Sequence, residues 1–235
     1  AIQRAIRMAE KTGCSLYIVH ISTQDGVAAV RAAKQRGLFV YGETCPHYLL
    51  LDDEEYERPP EESVAYVMSP PLRPKSHSLH LWGALTAETI DTVATDHCPF
   101  TLKQKLAGLN NFTHIPNGIA GVEHRMQLLF EHGVNSGKIS VEQFVNLTAT
   151  RPAKIFGLYP RKGLLAPGSD ADIVLWDANT EDTISAKTHV QNCDHTIYEG
   201  WKVKGKPQTV ICGGRIQFDD GKVFAKRGDG CFLSR

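Results

Sequence analysis

Residues 91–100, DTVATDHCPF, are the stretch on which the reading of this chain turns. Residues 92–95 are a short β-prone run of the kind that buries inside a sheet. The run leads straight into a carboxylate, an imidazole, a thiol and a proline. A carboxylate at the end of a buried strand is costly unless a metal, an arginine or a substrate meets it. In α/β folds, groups that do chemistry collect at the C-terminal ends of the strands.

The same rhythm recurs toward the N-terminus. Residues 16–20 are β-prone and end on a polar side chain, and a helical pattern follows over roughly 23–36. Residues 38–41 predict a second strand, closing on Gly42-Glu43-Thr44-Cys45. Residues 64–68 predict a third, closing on Ser69-Pro70-Pro71, and a helix around 76–86 leads to the fourth at 92–95. Strands alternating with helices predict βα units around a parallel sheet. His20, Glu43, Ser69 and Asp96 then share one rim. Four strands are half of what closes a (β/α)8 barrel, which takes about 250 residues, so half a barrel is expected.

Residues 118–135 and 140–157 are helical in pattern, with Val122, Met126, Leu129 and Phe130 on one stripe and Ser140 with Gln143 as a capping box. Beyond Gly163, β-prone runs at 171–176, 209–212, 215–218 and 222–224 are separated by Gly-Gly and Asp-Asp-Gly turns. This places a boundary near Tyr159-Pro160-Arg161, with a small β domain after it. Residues 1–12 form a helix closed by Gly13, without an initiator Met or an N-cap before it, and the chain reads as a segment of something longer.

Composition narrows the partners. The formal net charge is zero, with no basic block, so neither nucleic acid nor an anionic membrane surface is expected as a partner. No apolar run approaches the roughly 18 residues of a membrane span. The six cysteines are scattered without CxxC spacing, which reads as reduced thiols in a cytoplasmic protein.

His20 and Asp96 both follow buried strands and face one mouth. A divalent metal takes imidazole nitrogen and carboxylate oxygen, and lowers the pKa of bound water to about 7. A carboxylate beside that water can collect its proton and pass it to a leaving nitrogen. Of the other histidines, His97 reads as a residue that either orients Asp96 or contacts a neighbour, and His47, His77, His80, His114 and His124 read as loop and surface residues. Cys98 has no base partner and reads as a packing group.

The strings YIVHIS, YGETCPHYLL, VMSPPLRPK, TDHCPF, NFTHIPNGIAGVEHRM, FGLYPRKG and GSDADIVLWD occur in an order that resembles the dihydropyrimidinases and D-hydantoinases. These are cyclic amidohydrolases of the metal-dependent amidohydrolase superfamily. The likeness runs from about residue 1 to the C-terminus. Dihydroorotases and allantoinases share the Asp-His pair but differ around it. The resemblance implies an α/β fold: the C-terminal half of a (β/α)8 TIM-type barrel over residues 1–160, then a small β-rich, sandwich-type domain over 161–235. It implies zinc-dependent opening of 5,6-dihydropyrimidines or 5-substituted hydantoins to N-carbamoyl amino acids, by a homo-oligomer, either tetramer or dimer.

The family's roles carry over position by position. His20, in YIVHIS, matches a histidine that binds the second of two zinc ions. Asp96, in TDHCPF, matches an aspartate that binds the first zinc and shuttles the proton. Ser69 and Asn117 match residues whose backbone groups hydrogen-bond the imide or ureide face of the substrate. The family's HxH pair, its zinc-bridging carboxylated lysine, its HAE histidine and a tyrosine that supports the oxyanion lie upstream of the matched region and are absent here. Activity is therefore expected of the full-length protein. The alternative, from another class, is a non-catalytic assembly protein like the dihydropyrimidinase-related scaffolds. Those resemble this chain at YPRKG, GSDAD and ISAKTH but do not keep the TDHCPF string, which argues against that reading.

Overall fold

The structure is a computed structural model, and it describes residues 1–234. Helix α1 (Ile2–Thr12) buries Ile6 and Ala9 and stops where Gly13 turns left-handed at φ 70°. Strand β1 (Leu16–Ile18) leads to helix α2 (Gln24–Gln35), capped by the Thr23 hydroxyl, which accepts from the Gly26 N–H at 3.2 Å. Val27, Val30 and Ala33 form the buried face of α2. Strand β2 (Val40–Thr44) follows, with short helices α3 (Pro46–Leu50) and α4 (Pro60–Ser63) beyond it. Helix α5 (Ser76–Thr86) then returns the chain to β3 (Thr92–Val93).

These strands make one parallel sheet in the order β1-β2-β3, with Tyr17 opposite Tyr41 and Glu43 opposite Thr92. The sheet has three strands, not the four expected. Residues 64–68 are not a strand: Val64–Tyr66 is a turn of 3-10 helix that prolongs α4. Pro60 stands at the start of α4 with Glu61 and Glu62 in its first turn, and this helix-start chemistry overrides the β preference of the valines. The second strand also differs, beginning at Val40 and running through Gly42-Glu43-Thr44. Phe39, placed in it by its side chain, is 68% exposed. The ladder extends because the buried Asp91 carboxylate accepts the Gly42 N–H at 2.8 Å while being held by Lys34 Nζ at 2.7 and 2.8 Å.

After α6 (Leu102–Leu106) only a 3-10 turn at Phe112–His114 interrupts the loop before α7 (Arg125–Leu129), which continues as a looser π-helical turn over Phe130–Asn135. The helix expected from residue 118 thus starts seven residues later. Gly118, at φ 148°, breaks the pattern, and Val122 lies outside the helix and is exposed. Helix α8 (Val141–Val145) begins at the expected capping box, Ser140 with Gln143, and runs through a π turn (Asn146–Thr150) into α9 (Arg151–Ile155).

The remaining strands, β4 (Ile173–Thr183), β5 (Lys202–Cys212), β6 (Arg215–Asp219) and β7 (Lys222–Val223), form an antiparallel sheet in chain order. Gly213-Gly214, at φ 57° and 76°, makes the hairpin between β5 and β6, as their left-handed preference requires. One continuous core joins Val30, Leu81 and Val93 of the first half to Ile184, Tyr198 and Val203 of the second. Among the described residues no helix is long and apolar enough to cross a membrane.

Candidate active site

The first rim position is set by Glu43 on β2. Its carboxylate accepts the Tyr17 hydroxyl at 2.6 Å and the backbone N–H of His20 at 3.3 Å. Burial, then the hydrogen bond to Glu43, pushes the Tyr17 phenol well above its usual range, so the phenol keeps its proton. The Ile21 N–H donates to the Glu43 carbonyl at 2.7 Å, and the Thr44 hydroxyl donates to the Ile21 carbonyl at 2.8 Å. His20 sits between these anchors at φ 41°, half-buried, beyond the end of β1.

Asp96 is delivered in the same way from β3. The Ala94 N–H donates to the Thr44 carbonyl at 2.9 Å, and Arg125 Nη1 donates to the Val93 carbonyl at 2.8 Å. Asp96 then turns out at φ 46° and is exposed. The next residues zip onto the loop that carries Asn117: His97 bridges Ile119 in parallel, and the Cys98 N–H donates to the Ile119 carbonyl at 2.9 Å. The approach is so close that a Cβ on Gly118 would lie 2.4 Å from the Cys98 carbonyl oxygen. Glycine is required there.

Ser69 joins from a third direction. The Gly118 N–H donates to the Val67 carbonyl at 3.1 Å, which lays residues 67–70 beside the Asn117 loop. The Tyr48 hydroxyl donates to the Pro70 carbonyl at 2.7 Å. Ser69 and Asn117 are exposed and make no hydrogen bond to the described residues, so their backbone groups are open to a ligand. A peptide group that can reach water or a ligand need not be paired within the chain.

Helix α3 is the hub of these loops. Burial, with the positive field of His20 added, pushes the His47 imidazole down to about 3. Burial, then the carboxylates of Glu43 and Asp96, pushes the Cys45 thiol up; burial, with Cys45 and Asp96 contributing, does the same to the Tyr48 phenol. Tyr48 of this helix also ties down the Ser69 segment. The loops that carry His20, Asp96, Ser69 and Asn117 are thus tied to one another through backbone hydrogen bonds.

Their donor set fits a divalent metal in kind, one imidazole and one carboxylate, but not in number, since a catalytic zinc takes about three protein ligands. Among the described residues, the group of at least three metal-type donors within 4.8 Å of one another is Cys193, Asp194 and His195, which includes neither His20 nor Asp96.

Several sequence readings change. Of the two readings of His97, the contact with a neighbour is the one seen: its Nδ1 accepts the N–H groups of Gly121 at 3.1 Å and Val122 at 3.3 Å and so shapes the Asn117 loop. Cys98 is exposed rather than packed. His47 and His124 are buried, not surface residues. Glu43 and Tyr17, given no role by sequence, prove to be the supports of His20. A glutamate that ends a predicted strand was the available signal.

Residues 1–217 match the model of the amidohydrolase family. Over its whole length the chain is 45% identical to a D-hydantoinase of Ralstonia pickettii, of which it covers 51%. It superposes on a D-hydantoinase crystal structure with a TM-score of 0.98 at 44% identity, covering all of this chain and 51% of that one. The dihydropyrimidinase from Brevibacillus agri NCHU1002 gives 0.94 at 45% identity, over 95% of this chain and 49% of that one. The chain spans about half the length of the curated relatives it matches.

Proposed function

The chain belongs to the amidohydrolase family, and on that premise we propose that it is part of a longer metal-dependent enzyme that hydrolyses a ring amide. The observation that carries the reading is the convergence of His20, Asp96, Ser69 and Asn117 around α3, with open backbone groups on the last two. The proposed substrates are cyclic ureides or imides: 5,6-dihydropyrimidines or 5-substituted hydantoins, opened to N-carbamoyl amino acids. Relatives named D-hydantoinase and D-phenylhydantoinase support this class.

In the full-length protein His20 and Asp96 would help to hold two zinc ions, together with a carboxylated lysine from outside this chain. Zinc, when bound, makes hydroxide available at neutral pH. The exposed backbone groups of Ser69 and Asn117 bind the imide or ureide edge and present the ring carbonyl to attack. The Asp96 carboxylate takes the proton released as the new C–O bond forms. It returns that proton to the ring nitrogen as the C–N bond breaks. One water is consumed and one ring opened. Glu43 and Tyr17 hold the backbone that presents His20.

Retention of Asp96 and His20 favours this reading over a non-catalytic assembly role. We place the division of the chain near residue 160, because the parallel strands all precede it and the antiparallel ones all follow it. Homo-oligomerisation, as dimer or tetramer, and a cytoplasmic location complete the proposal; six unpaired cysteines suit a reducing compartment.

The test is Asp96→Asn in the full-length protein, assayed on dihydrouracil and hydantoin. Turnover is expected to fall by at least ~100-fold, the usual share of a general acid-base group. Near wild-type turnover by the variant would overturn the assignment.

A further inference from the structure

Lys105, on the short helix α6, is fully buried. Among the described residues it has no carboxylate partner. Its Nζ instead donates to two backbone carbonyls, Val67 at 2.8 Å and Pro116 at 3.1 Å. Val67 is two residues before Ser69, and Pro116 immediately precedes Asn117. The Val67 carbonyl also accepts the Gly118 N–H, so one oxygen and one ammonium together fasten the two segments. Burial pushes the Lys105 amine down to about 8, with the nearby Cys98 and Cys193 thiols partly opposing the shift. Burying an ammonium against carbonyl dipoles alone is an expensive way to close a core that methionine could fill.

We propose that Lys105 is a positioning residue for the cyclic substrate, clamping the Val67 and Pro116 carbonyls so that the open backbone groups of Ser69 and Asn117 are held at a fixed separation. This rests on the reading that Ser69 and Asn117 grip the imide or ureide edge. The peptide plane explains how the clamp works. The Pro116 carbonyl and the Asn117 N–H belong to one rigid trans unit and point in opposite directions. With the carbonyl pinned on Lys105, the Asn117 N–H is turned away from α6, and it has no acceptor among the described residues. On the other side the Val67 carbonyl is held two residues before Ser69, so the backbone leading into each arm of the grip is anchored on one nitrogen atom. A misplacement of about 1 Å between such groups can cost ~100-fold in rate, which gives a buried cation a reason to be there.

The test compares Lys105→Met with the parent full-length, metal-loaded protein. It measures kcat and KM on hydantoin and dihydrouracil, metal content, the unfolding midpoint, and amide hydrogen exchange across residues 67–70 and 116–118. The variant is expected to keep its metal and to unfold cooperatively. Exchange at Gly118 should quicken at least ~10-fold, and KM should rise at least ~10-fold and by more than kcat falls. Should the methionine variant fold poorly, Lys105→Gln, which keeps an N–H2 donor, is expected to fold and to give an intermediate KM. Unchanged KM with normal turnover by the parent overturns this proposal alone, as does a kcat loss with no change in KM. Absence of ring opening by the parent overturns the functional reading and this proposal with it.

Discussion

His20 and Asp96 share a backbone feature: both adopt left-handed φ values, 41° and 46°, directly beyond parallel strands. Non-glycine residues in that region cost on the order of 1 kcal/mol or more, and such strain gathers where a side chain must be aimed. The two residues were legible in the sequence because a β-prone run ending in a polar side chain is a local pattern. Lys105 and His47 were not, since their meaning lies in partners far along the chain. His47 is 1% exposed, and its Nε2 has no partner among the described residues, so a proton there would be an unpaired buried charge. Its folded pKa of about 3 lies below the ordinary value of 6.5. The unfolded chain therefore takes up a proton as pH falls through 6.5 while the folded chain does not, and stability held above 6.5 is lost on the way down to 3. Between pH 7 and pH 5 this residue accounts for about 2 kcal/mol of that loss. His47→Gln is expected to lose correspondingly less, measured by urea midpoints at the two pH values. Equal losses in the two proteins would contradict the burial of a neutral imidazole.

Elements were readable where period and cap agreed, as in α2 and the Ser140 start of α8. They were misread where a tertiary partner decided the outcome. Residues 64–68 carry β-prone side chains, yet the Val67 carbonyl is engaged by Lys105 and the Gly118 N–H instead of a neighbouring strand. The first half of β5, KVKGKPQ, escaped notice because only Val203 and Gly205 of its alternate positions face inward and the rest is polar. Gly205 explains that strand's seat. It holds φ 101°, and the ring of Phe130 lies where a Cβ would be, 2.5 Å from its nearest carbon. Trp176 packs against the same ring at 5.1 Å between centroids, so the glycine lets the antiparallel sheet meet the α7 extension. Gly205→Ala is expected to destabilise the protein by roughly 2–4 kcal/mol, from overpacking plus backbone strain. A denaturation midpoint within error of the parent would show that the sheet can shift to make room.

At the scale of the molecule, alternating strands and helices pointed to a parallel sheet first and turn-separated β runs to a β domain after it; a parallel and then an antiparallel sheet are present. What sequence could not supply is how the loops meet: the parallel bridge at His97 and Ile119 and the Val67 contacts assemble the rim, and neither leaves a mark in residue order. The rim offers one imidazole and one carboxylate to a metal, together with the open backbone of Ser69 and Asn117. The central proposal is that His20 and Asp96 supply two of the six protein ligands of a two-zinc amidohydrolase centre. Its most direct test is the zinc content of the full-length protein, measured by elemental analysis after exhaustive dialysis, beside that of His20→Ala and Asp96→Asn. About two zinc ions per polypeptide in the parent and clearly fewer in each variant are the expected result. A parent without zinc, or variants that hold as much as the parent, would contradict the claim.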